Sequence, residues 1–142
     1  MKSLTTNCMI AVAALAVAAG SASAQTLKAD IPFTFRAGTS VLTPGTYNVN
    51  LSVATNREFI RMQNTDTGVS VLLAAFDRGD ASKSLKSKRV PALAFDCSAT
   101  RCALRELWTG VDSSSYHFRA PHLGRDGDVY TTRIALSRMK AD

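Results

Sequence analysis

The 142-residue chain is poor in the side chains that usually carry chemistry. Its only histidines are His117 and His122, and its only glutamates are Glu58 and Glu106. It has no G-x-S-x-G segment, and so lacks the turn that presents a nucleophilic serine in many hydrolases. The serines at 113–115 lie close to His117, but a serine run before a strand reads as turn composition rather than part of a triad. The spacing of His117 and His122 crosses Pro121 and matches no zinc pattern. Asp112 with Asp126-Gly127-Asp128 offers too few regularly placed oxygens for a calcium loop, so a polar turn is expected. Glu58 and Glu106 stand beside Arg57 and Arg105 in predicted strands. They read as solvated cross-strand charge pairs rather than paired glycosidase carboxylates. No catalytic residue, metal site or cofactor is expected.

Cysteine is also scarce. Of three, Cys8 lies near the N-terminus, and Cys97 and Cys102 lie five positions apart. A C-x4-C spacing is not the C-x-x-C redox pattern, and no second pair completes a zinc site. In an oxidising compartment the two would form a structural disulfide.

Long apolar runs are missing except near the start. Met1 and Lys2 precede Met9–Ala19, MIAVAALAVAA, which is followed by Ser21-Ala22-Ser23-Ala24. A positive start, a short apolar run and small residues at an A-x-A site form the pattern of a secretory signal peptide cut after Ala24. The run is shorter than the roughly 20 residues a membrane-spanning helix needs. Cys8 precedes it, whereas a lipid-bearing cysteine would follow it. The expected organisation is a signal peptide at 1–24 and one soluble domain at 25–142, periplasmic or secreted.

What remains is strand-like. LKADIPFTFR (27–36) alternates apolar and polar residues, and Pro32 marks it as an edge or bulged strand. Thr43-Pro44-Gly45-Thr46 is a type II turn. TYNVNLSVA (46–54) alternates cleanly, EFIRMQ (58–63) follows, and Asn64–Gly68 is a hairpin loop. VSVLLAAF (69–76) is apolar on both sides and predicts a central strand covered on both faces. DRGDASKSLKSKR (77–89) breaks the pattern and predicts a mobile surface loop. A hairpin then spans about 90–96 and 102–108, with Cys97 and Cys102 at its turn. Leu93 and Phe95 face one side, with Leu104 and Trp108 expected on the matching side. Tyr116–Phe118 is a short strand, and VYTTRIALS (129–137) is the last. Seven to eight short strands without a convincing helix predict an all-β, antiparallel β-sandwich or barrel.

The formal net charge is +6, or +5 once Lys2 is removed. Arg78, Lys83, Lys86, Lys88 and Arg89 gather in the 78–89 stretch and are the candidate contact with an anionic surface. No aromatic residue interleaves there, which disfavours nucleic acid. Arg78-Gly79-Asp80 is a short adhesion tripeptide that recurs by chance.

Asp30-Ile31-Pro32-Phe33-Thr34-Phe35, Leu42-Thr43-Pro44-Gly45-Thr46-Tyr47 and Leu107-Trp108-Thr109-Gly110 occur in that order. With the signal peptide, they make the chain resemble a group of small exported bacterial β-domain proteins of unknown function. Members open with an I-P-F-x-F strand, pass an L-P-x-G-x-Y turn and carry a late tryptophan strand. The match spans about residues 27–110. Thr43-Pro44-Gly45 departs slightly from the usual turn spacing, and the tail after Gly110 lies outside the match. The resemblance implies a compact β domain outside the cytoplasm and brings no enzymatic activity with it.

The sequence therefore predicts a non-enzymatic exported domain that binds envelope polysaccharide, an anionic lipid surface or another exported protein. The alternatives are a small-ligand carrier with a barrel interior and an envelope polymer hydrolase.

Overall fold

The computed structural model describes residues 26–110, 114–123 and 127–139. Residues 1–24, expected to be a signal peptide, and Asp112, Ser113 and Asp126 lie outside the described residues. The described residues form an all-β fold with one short helix. In chain order the elements are β1 (Thr26–Ile31), β2 (Phe35–Ala37), β3 (Ser40–Leu42), β4 (Gly45–Ala54), β5 (Arg57–Asn64) and β6 (Ser70–Ala74). They continue with β7 (Asp77–Asp80), α1 (Lys83–Lys86), β8 (Ala92–Cys97), β9 (Cys102–Trp108), β10 (Ser114–His117) and β11 (Tyr130–Arg138). Eleven strands replace the expected seven or eight, because 27–37 divides in two and short strands occupy segments expected to be loop or turn.

Nine strands wrap in the order β3-β2-β9-β8-β11-β1-β4-β5-β6 into a nearly closed barrel-like sheet. Neighbours are antiparallel except β2 and β9, which are parallel. The path ends at β3 and β6, and the seam of the barrel lies between them. β10 pairs with the second half of β9 and with β7, branching off the barrel.

Pro32 marks a corner, not an edge. β1 is an interior strand between β4 and β11. It ends at Ile31, and residues 32–34 carry the chain across to β2, which pairs with β3 and β9. Proline cannot donate to a ladder, so this break in pairing suits it. The corner brings Phe33 edge-on to Phe95, with centroids 5.1 Å apart. Phe35 lies edge-on to both Tyr47 and Phe95, at 5.4 and 5.3 Å.

Inward residues follow the period of two. Tyr47 and Val49 of β4, Ile60 and Met62 of β5, and Leu93 and Phe95 of β8 are buried in the main core. Phe35, Leu104, Leu107 and Leu136 join them. Fully burying such a side chain contributes about 1.5–3 kcal/mol. The interior is therefore filled by side chains. At the β5–β6 turn, the buried Asn64 accepts the N–H groups of Asp66 and Thr67, and Gly68 takes φ 73°.

The β8–β9 hairpin forms as its sequence predicts. Cys97 and Cys102 are bonded at its turn, with S–S 2.08 Å and Cα–Cα 4.0 Å. Its register holds one surprise. Phe95 pairs with Leu104 and Ala94 with Glu106, which leaves Arg105 as the extra residue of a β-bulge. One extra residue flips the faces of everything beyond it. Leu104 and Leu107 both point into the barrel, whereas Glu106 and Trp108 point out. The expectation that Trp108 packs beside Leu93 and Phe95 is thus corrected. Trp108 is buried on the outer face, against Ala81, Leu85, Ala92 and Ala94.

That second cluster is roofed by the segment expected to be a mobile loop. Residues 77–89 instead contain β7 and α1, and Leu85 of α1 is fully buried. A second correction concerns 69–76. β6 is not central, and Leu72 and Phe76 are each 61% exposed. A third concerns the serine run, because Ser114 and Ser115 begin β10 instead of forming a turn.

Candidate functional site

The bulge at Arg105 positions a polar cluster on the outer face of the hairpin. Glu106 and Ser115 are both buried, and His117 is partly exposed. Ser115 and His117 share a face of β10 because they are two residues apart. His117 lies directly across from Glu106 in the ladder. Ser115 Oγ donates to Glu106 Oε1 at 2.5 Å, and the Ser82 N–H donates to the same oxygen at 3.0 Å. His117 Nε2 is 2.9 Å from Ser115 Oγ and 3.5 Å from Glu106 Oε1.

A serine, a histidine and a carboxylate together invite comparison with a triad, but the proton directions differ. Ser115 has one hydroxyl hydrogen, and it goes to the carboxylate. Its oxygen therefore accepts from His117 Nε2–H. Nucleophile activation needs the reverse, a histidine nitrogen that accepts the serine proton while its other nitrogen faces the carboxylate. Here serine and carboxylate both address the same nitrogen, and Ser115 is completely buried. What the cluster does physically is tie the start of α1, through the Ser82 N–H, to β9 and β10. Gly79 allows the fit, since a Cβ there would come 3.0 Å from His117 Cε1.

Glu106 is thus a buried acceptor, not a solvated partner of Arg105, which pairs with Asp96 at 3.2 Å. Glu58 keeps the predicted solvated pairing but with Arg78, at 3.4 Å, instead of Arg57. His122 is exposed in an irregular segment. Among the described residues no group of three or more His, Cys, Asp or Glu side chains is placed to hold a metal ion. No helix among them is long and apolar enough to cross a membrane.

The larger feature is at the seam. An open cleft of about 1060 Å³ runs between the β2–β3 turn and the β6–β7 segment. Leu72, Phe76 and Val53 give it exposed apolar surface, Val53 being 69% exposed. Arg57, Arg78 and Arg119 line it, with Glu58 and Asp77 as the acidic groups. The Arg119 guanidinium lies 4.2 Å from the Phe76 ring centre. A smaller recess of about 380 Å³ shares Phe76, Asp77, Phe118 and Arg119 with the cleft and reaches His117 and Arg105.

The five basic residues singled out in the sequence do not stay together. Lys83 and Lys86 on α1 and Lys88 and Arg89 just beyond it are exposed. Arg78 lies apart on the cleft wall, over the Tyr116 ring at 5.2 Å. The Arg78-Gly79-Asp80 tripeptide is strand, paired with β10, rather than a presented loop.

Sequence reasoning missed the polar cluster and the cleft. The cluster had a local signal, because Ser115-Tyr116-His117 read as strand puts both polar residues on one face. Its carboxylate comes from β9, brought to that face by the bulge. The cleft has a signal too, the uncharged apolar run 69–76, whose composition alone predicts a covered strand. No protein-family model, curated protein or solved structure matches this chain.

Proposed function

We propose that this chain is an exported, non-enzymatic β domain that binds a protein partner or an envelope component at the barrel seam. The observation that carries this reading is the cleft beside β6, where Leu72 and Phe76 are each 61% exposed in a surface rimmed by arginines. Exposed apolar surface gathered beside polar groups is characteristic of interaction sites. The signal-peptide pattern at 1–24 and the Cys97–Cys102 disulfide support a periplasmic or extracellular setting, as does the resemblance to small exported β-domain proteins. The filled interior supports the cleft, not the inside of the barrel, as the place where a ligand would sit. The buried serine and the direction of its proton support a structural role for Glu106, Ser115 and His117.

The test immobilises the purified protein and challenges it separately with anionic lipid vesicles, acidic envelope polysaccharide and soluble exported proteins. One class is retained, and Phe76→Ser abolishes retention without unfolding the protein. Retention that Phe76→Ser leaves unchanged would contradict the reading. So would polymer hydrolysis lost in Glu58→Gln, Glu106→Gln or His117→Ala.

A second reading draws on the α1 face. Lys83, Lys86, Lys88 and Arg89 are exposed and form no ion pair with any described residue. Each such cation near an anionic membrane contributes about 1 kcal/mol. Binding of this kind falls steeply with salt and is lost when Lys83, Lys86 and Lys88 are replaced by alanine.

A further inference from the structure

The sheet path has two ends, and they are protected differently. β3 is three residues long, whereas β6 has five, Ser70-Val71-Leu72-Leu73-Ala74, with neither charge nor proline. Edge strands are normally blunted by charge, proline or shortness, because their unpaired N–H and C=O groups template a further strand. β6 has no such protection and no strand partner beyond β5 among the described residues.

The surroundings of this edge are cationic in excess. Glu58 is taken up by Arg78, and Asp77 accepts the Arg78 N–H. Arg57 has no ion-pair partner among the described residues, and Arg119 is held only against the Phe76 ring. We propose that β6 accepts an extended acidic segment of another protein as an additional strand; this deepens the binding function proposed above and rests on it. In strand addition, main-chain hydrogen bonds supply affinity and alternate side chains supply specificity. Apolar side chains of the added strand continue the inner face beside Val71 and Leu73, and its carboxylates share the outer face of Leu72 with Arg57 and Arg119. A second copy of this chain fits less well. Its own β6 brings no carboxylate, and pairing would set two arginine-rimmed clefts against each other.

The probe is a capped eight-residue peptide alternating valine and glutamate, tested against the purified protein by fluorescence anisotropy and amide exchange. Two control peptides separate the contributions. One replaces glutamate by lysine. The other is N-methylated at amides of both edges, which removes the donors and keeps the same side chains. The glutamate peptide binds at least about tenfold tighter than either control, a factor equivalent to one or two hydrogen bonds. The edge-facing amides of Ser70, Leu72 and Ala74 become protected. No binding, equal affinity for the lysine peptide, or indifference to N-methylation overturns strand addition. So does sedimentation showing that copies of the protein pair through β6. If the peptide fails while Phe76→Ser still abolishes retention of an envelope component, strand addition falls and the binding function stands. If Phe76→Ser has no effect either, both fall.

Discussion

β8 and β6 look alike in sequence and end in opposite situations. Each is an apolar run with no clean alternation. In β8 both faces are covered: Leu93 and Phe95 pack inside the barrel, and Ala92 and Ala94 pack outside under α1 and Trp108. In β6 only Leu73 is buried, and Leu72 faces solvent. A two-sided apolar strand therefore says that both faces tolerate burial. It does not say that the same chain supplies the cover. For β8 the cover is α1, latched by Glu106. For β6 the proposed cover is a strand from a partner.

If that contrast is correct, damage to the two strands has different consequences. The largest effect is expected at the covered side. Trp108→Ala removes the main side chain between α1 and the hairpin and lowers stability by about 3–5 kcal/mol. Denaturant unfolding measures the loss, and hydrogen exchange shows it concentrated in 77–89. A loss below about 1 kcal/mol would mean that α1 is not a working cover and that β8 and β6 differ less than they look.

Next is the latch. Glu106→Ala leaves the Ser82 N–H and the Ser115 hydroxyl without their acceptor, at a cost of about 2–3 kcal/mol. Glu106→Gln keeps an acceptor oxygen and loses less. Equal losses in the two variants would show that side-chain volume, not hydrogen bonding, holds α1 in place.

Replacing Cys97 and Cys102 together by serine opens a short ring and costs about 2 kcal/mol by the loop-entropy account. Unfolding under reducing and non-reducing conditions gives this value directly. The effect sharpens the contrast because the staple serves the covered hairpin alone.

The smallest stability effect is expected at the seam. Leu72→Ser changes folding stability by no more than about 0.5 kcal/mol, the usual range for exposed positions. Binding at the cleft is lost in the same variant. A variant that unfolds would show Leu72 to be part of the core and would remove the distinction.

Much of this fold is legible in the sequence, and the failures have identifiable causes. The hairpin and its disulfide follow from alternation on either side of two close cysteines. Tyr47, Val49, Ile60 and Met62 are inward because the period of two is clean there. Trp108 was placed on the wrong face because the bulge at Arg105 shifts the phase by one residue, and nothing in RELW marks an unpaired position. α1 was missed because it is four residues long and its one apolar anchor, Leu85, sits among serines and lysines. The sequence shows Glu106 beside Arg105 but not the cover that buries it, which comes from Ser82 and Ser115 on other elements. For β6, composition reports apolarity but not cover.

Residue-resolved amide exchange of the purified protein, with and without the valine–glutamate peptide, tests the β6 edge most directly. In the free protein, the alternate β6 amides that do not reach β5 exchange near the unfolded rate, while paired β8 amides exchange only through global unfolding. Adding the peptide slows the fast β6 amides and leaves β8 unchanged. Slow exchange along all of β6 without peptide, or protection that appears at α1 instead of β6, would contradict the account.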